Sequence, residues 1–313
     1  MLALSFLTVL AISTAQAEAP AASPVSSQDP ATHSPPISPD QNQEAGQLDD
    51  VVVVGERESR LTRRYVETIR APAGNRQLAT WRGKLCISVA NLPTATAQYM
   101  IDRISGVALE LGVEPGEPGC AANVLIVATD DGPGVASALV AEHHRAFRPG
   151  AGGTTLSLSA LEAFTTSDRP VRWWHVSVPT DSESGARAVR FPGEEPATVH
   201  VSRASRLRSD IRDDLNKVII VIDVDQLGAT TFDRLTDYVS LITLAQVDAR
   251  SDTSGLPTVL NIFDDPSGHP GLSNWDRAYL QALYNAEPGR TSANAQAGDL
   301  ARLMVRSQAE APR

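Results

Sequence analysis

The sequence has little that carries metal or thiol chemistry. Its 313 residues include six histidines and two cysteines. Nowhere do two histidines stand four apart with a glutamate beside the first, the helical spacing that aims two imidazoles and a water-activating carboxylate at one zinc ion. A Gly-x-Ser-x-Gly nucleophile elbow is missing too. The loop "DDGPGVA" after "VLIVAT" has glycines but no lysine and not the spacing of a phosphate loop. Positive charge is in deficit, with 27 Lys and Arg against 37 Asp and Glu and a net charge of −10. Such a chain repels phosphate backbones, so nucleic acid is excluded as the main partner.

Long apolar runs are missing beyond the first residues. "KVIIVIDV" is broken by Asp223 well short of the roughly 20 residues a membrane span needs. The opening "MLALSFLTVLAISTAQA" is an apolar run of about 14 residues that ends in Ala15-Gln16-Ala17, small residues flanking one position as a signal peptidase accepts. Residues 1–17 therefore read as a signal peptide, with an uncleaved membrane anchor as the alternative. No cysteine follows, so a lipid anchor is not expected. The product is expected in the periplasm or outside the cell. In that setting Cys86 and Cys120 are expected to form a disulfide.

Organisation follows from composition and period. Residues 18–50, rich in Pro, Ala, Ser and Gln, bury too little to order and read as a disordered linker. Residues 51–77 read as a short strand at Val51–Val54 and a basic helix with Arg57, Arg60, Arg63, Arg64 and Arg70. That helix is either a solvated amphipathic one or a basic arm that touches anionic lipid or a partner. Residues 78–286 read as one globular domain and 287–313 as a disordered tail.

Within the domain "KLCISVANLP" reads as a strand. Ala97, Ile101, Ile104, Ala108 and Leu111 make one helical stripe, and "AANVLIVATDDGPG" is a second strand. A βαβ unit would bring Cys86 and Cys120 together. A helix follows to Phe147, and "TTLSLSALEAF" reads as a short helix or turn. "PVRWWHVSVP", "ATVHVSRA" and "NKVIIVIDVDQL" then read as strands, the last apolar on both faces and hence central. The segment 230–249 is a helix with a wide apolar arc, packed deep. A loop leads to a closing helix at Ser273. The fold class is α+β: a mixed sheet with a βαβ start, a buried helix after the last central strand, and a closing C-terminal helix.

The order from Lys217 to Tyr284 resembles small zinc endopeptidases of the matrix-metalloproteinase and related type. "VLNIF" sits where they carry a methionine-containing turn under the metal, and "LSNWDRAYLQALY" where they carry the closing helix. The same stretch is similar to a proteobacterial family of secreted proteins and putative lipoproteins of unknown function. Leu272, Asp276, Arg277, Leu280, Leu283 and Tyr284 fit that family's ending. The resemblance implies a zinc-peptidase-like fold, but the helix 230–249 has no His and no Glu, so the usual zinc mechanism is not expected. Asp233 and Asp237 stand four apart on it and read as solvated carboxylates.

The first functional reading is an exported binding or scaffolding domain without a cofactor, whose partner is an envelope protein or peptide. The alternative is a zinc-dependent hydrolase with an atypical site built from His269, Asp264, Asp265 and Asp237. For binding, the candidates are Arg172, Trp174 and His175 in "RPVRWWHVS", since one of two adjacent strand tryptophans is expected to be partly exposed beside arginine. His143 and His144, adjacent on a helix, point about 100° apart and chelate poorly together.

Overall fold

A computed structural model describes residues 57–74, 76–195, 209–290 and 292–310. The expected signal peptide, the linker, the Val51–Val54 strand and the "ATVHVSRA" strand with His200 lie outside the described residues.

The chain forms a four-stranded mixed sheet in the order β1-β2-β4-β3, with β1 Ile87–Ala90, β2 Val124–Thr129, β3 Val171–Asp181 and β4 Ile211–Asp223. The fold is α+β. β1 and β2 are parallel and joined by helix α2 (Thr94–Glu110), which is the expected βαβ start. Its buried stripe is Met100, Ile104, Val107 and Ala108, turned slightly from the expected Ala97 and Ile101 line, whose two residues are half-buried. β4 pairs parallel with β2 and antiparallel with β3, so the all-apolar strand is central as its composition requires.

Cys86 and Cys120 are disulfide-bonded, with Cα atoms 6.1 Å apart and 34 residues between them in sequence. The bond ties the start of β1 to the loop before β2 and, in the chain-entropy account, stabilises by about 4 kcal/mol.

Helices cover both faces. One face holds α3 (Gly132–Glu142), the short α4 (His144–Phe147) and α5 (Leu158–Thr166) over Trp174, Val176, Ile219 and Val221. The other holds α2, α6 (Phe232–Leu244) and α7 (Asn274–Asn285) around the main core. The last ten residues of α6 are all buried. No helix among the described residues is long and apolar enough to cross a membrane.

Two boundaries differ from the sequence reading. Helix α1 (57–69) belongs to the main core, with Tyr65, Val66 and Ile69 fully buried, so the globular part starts well before Leu78. The stretch expected to fray as a polar tail is instead helix α8 (Ala293–Glu310), which packs against α7. Its core side is mostly small: Ala293, Ala297, Leu300, Ala301 and Met304. Alanines at helical spacing make a good packing face but scarcely raise the hydropathy, which is why the stripe passes for a polar tail.

Candidate functional site

α6 occupies the place where the resemblance would put metal ligands, and its residues are fully used for packing. A helix leaves its last four carbonyls without intrahelical partners. Here all four are met inside the core. Ala245 N–H donates to Leu241 O at 3.0 Å. His175 Nε2 donates to Ile242 O at 2.7 Å, Trp81 Nε1 to Thr243 O at 2.8 Å, and the Tyr284 hydroxyl to Leu244 O at 2.9 Å. Since a carbonyl only accepts, His175 is the Nε2–H tautomer. Burial pushes its pKa down to about 4 against the smaller upward pull of the Ile242 and Ala245 carbonyls, so the ring is neutral at pH 7.

Asp237 is buried, not solvated as expected. Arg103 of α2 grips it with two bonds, Nε to Oδ1 at 2.6 Å and Nη2 to Oδ2 at 2.9 Å, and Leu272 N–H donates to Oδ2 at 3.0 Å. One turn earlier Tyr99 donates to Asp233 at 2.6 Å. The two carboxylates four apart on α6 thus meet two donors four apart on α2. They dock one helix on the other and leave no free pair for a cation.

The closing helix has a similar device. Ser273 and Asp276 form a capping box at the start of α7. Asp276 is fully buried and takes four donors: the Tyr65 hydroxyl and Thr258 Oγ1, each at 2.6 Å, Val259 N at 2.9 Å and Ser273 N at 2.8 Å. Desolvation raises its pKa, and the four bonds act the other way. This carboxylate joins α1, the turn at 258–261 and α7. Its sequence signal was only the Ser-x-x-Asp cap; Tyr65 lies 211 residues away.

The alternative hydrolase residues are not gathered into a site. Asp264 and Asp265 are exposed, and Asp265 accepts from Ser267 Oγ at 2.9 Å and Gly268 N at 3.0 Å as a turn carboxylate does. Those two bonds, more than the nearby His269, lower its pKa. Asp237 is held by Arg103. Among the described residues no group of three or more His, Cys, Asp or Glu side chains is placed to hold a metal ion.

The binding cluster is corrected as well. Arg172, Trp174 and His175 are 2%, 2% and 4% exposed. Trp174 stands under α4 and donates to Phe147 O at 2.9 Å, while Trp173, on the opposite face, donates to Val247 O at 2.9 Å. The strand's alternation is as expected, but α3 to α5 cover the face that was expected to be partly open. Arg172 donates to Ser167 O, and burial lowers its pKa against the fields of Asp223, Asp168 and Asp131. A Cβ on Gly132 would stand 2.1 Å from Arg172 Nη1, so any larger residue there would push the guanidinium aside. The loop that superficially resembles a phosphate loop is closed by its own carboxylate, Asp131, which accepts from Gly134 N at 2.8 Å and caps α3.

Between β3 and segment 247–250 little space is left. A cavity of about 40 Å³ remains among Trp173, His175, Val247 and Arg250. That is room for a water or so and for no substrate. The open space lies elsewhere. Three adjoining hollows of about 260, 260 and 400 Å³ run past the amino ends of β2 and β4. The first and second share Ala146 and Lys217, the first and third Asn123, and the second and third Phe191 and Asn216. Leu125, Phe147 and Ile219 give the first an apolar floor, and Arg145 and Lys217 edge the second. Lys217 has no carboxylate within ion-pair distance among the described residues. Sequence reasoning missed this groove, because its residues come from five separate segments and carry no motif.

No protein-family model, no curated protein and no solved structure matches this chain at a significant level. The site is therefore judged on its geometry. The groove has apolar pockets and a cationic rim, and no nucleophile paired with a base lines it. It suits an extended segment with apolar side chains and a carboxylate.

Proposed function

We propose that this chain is an exported, non-catalytic binding domain with a zinc-peptidase-like layout, related to the secreted family that its C-terminal third resembles. Its site is the groove around Lys217, and its partner is an extended segment of an envelope protein or peptide. The observation that carries this reading is the state of α6. The helix that the resemblance would put in the metal-bearing position uses its one buried carboxylate to hold Arg103, its carbonyl end to accept from His175, Trp81 and Tyr284, and its remaining buried face for packing. The periplasmic or secreted location rests on the apolar N-terminal run and is in keeping with the Cys86–Cys120 disulfide.

The test is a photo-crosslinking residue at Asn216, exposed on the groove, in cells that export the protein. A discrete adduct that disappears with Lys217→Glu is expected. The same adduct from a crosslinker at the distant, exposed Leu109, or its survival in Lys217→Glu, would move the binding surface elsewhere.

A further inference from the structure

A broad hollow lies between α1 and α8. It holds about 600 Å³ and is lined by Ser59, Arg63, Gly298, Ala301, Arg302, Val305 and Arg306. Three of these seven side chains are guanidinium groups and none is a carboxylate, on a chain whose net charge is −10. Small residues, Gly298 and Ala301, keep the floor open. Arg302 is tied to Asp299, which also meets Arg290, yet the Arg302 side chain is 73% exposed. Among the described residues neither Arg63 nor Arg306 has a carboxylate partner.

The groove continues onto α1. With Thr62, Tyr65, Val66 and Ile69 buried, the outward arc of that helix carries Arg57, Arg60, Arg63 and Arg64 around one exposed carboxylate, Glu67. At the far border of the same arc sits Leu61, one of the few large apolar side chains left exposed, at 39%. Basic residues with an apolar side chain beside them on a surface helix are what an anionic bilayer binds, through attraction to phosphate and shallow apolar contact. In the sequence, residue 56 immediately precedes α1.

We infer that the α1/α8 face is a docking surface for anionic lipid bilayers, with Arg63, Arg302 and Arg306 around a lipid phosphate and the arginines of α1 lying on the headgroup layer. This surface is separate from the groove around Lys217. The two share no lining residue.

The experiment is co-sedimentation of the full chain with vesicles of phosphatidylcholine alone and with roughly 30 mol% phosphatidylglycerol, at about 0.1 M salt. The phosphatidylcholine arm measures whatever the apolar N-terminal run contributes by itself. The expected result is tighter binding to the anionic vesicles. That gain should fall about tenfold or more in Arg63→Gln/Arg306→Gln and fade as salt is raised to about 0.5 M. Lys84→Gln, a surface change remote from the face, should leave it intact. Both arginines are exposed, and circular dichroism checks that the variants keep the fold. The inference is overturned if phosphatidylglycerol adds nothing over phosphatidylcholine or if the double variant binds as well as the parent. Binding to a poly-glutamate peptide with none to vesicles would overturn it too, and would make the partner an acidic protein.

Discussion

Replacing His175 by Gln should flatten the acid side of the stability curve. His175 is buried under the end of α6, and its pKa is about 4 against an ordinary 6.5. The folded state therefore refuses a proton that the unfolded chain accepts. The group has no effect on the pH dependence above about pH 6.5, where both states hold it neutral. Below that, stability is lost as pH falls, and the loss is complete near the folded value of about 4. At pH 4.5 the linkage gives a loss of roughly 2 to 3 kcal/mol relative to pH 7.5, from the two pKa values together. Gln keeps an N–H that can reach Ile242 O, so it removes the titration while retaining a donor at the helix end. Urea unfolding followed by tryptophan fluorescence at several pH values from 7.5 to 4.5 measures both proteins, with carboxylates elsewhere common to each. The difference between variant and parent should shift in favour of the variant by about 2 kcal/mol or more across that range. Parallel curves would refute the reasoning, because they would mean that the imidazole is not held neutral by burial.

Two further changes probe the buried carboxylates. Tyr65→Phe removes one of four donors to Asp276 and should cost about 2 kcal/mol by urea unfolding, with little change in shape. A cost under about 0.5 kcal/mol would mean that Asp276 does not need α1. Arg103→Ala leaves Asp237 buried with only the Leu272 amide and should cost about 2 kcal/mol, between an exposed and a fully buried ion pair. If the loss instead matched that of an ordinary surface arginine, the α2 to α6 link would not be a stabilising one.

Where a segment's own period decides its environment, the sequence was readable. The β1-α2-β2 unit, the central β4 and the deep α6 all follow from apolar spacing within one element, and the two cysteines stand where that unit joins them. The alternation of Trp173 and Trp174 to opposite faces was readable too. Whether Trp174 is covered was not, because that depends on α3 to α5, which pack on the sheet from elsewhere in the chain. Asp237 looked solvated since its partner Arg103 lies 134 residues away. α8 was missed because alanine packs closely while adding little hydropathy. The histidines drew the eye to the loop around His269, yet the histidine the fold depends on is His175, whose role is a single bond to a helix carbonyl.

The central claim, a metal-peptidase-like layout without a metal, is tested most directly by metal content. The purified full chain is incubated with zinc, exchanged into metal-free buffer and measured by mass spectrometry beside His269→Ala. The account predicts far less than one zinc per chain in both proteins. One zinc per chain in the parent, lost in His269→Ala, would contradict it and put a catalytic metal site in the loop before α7.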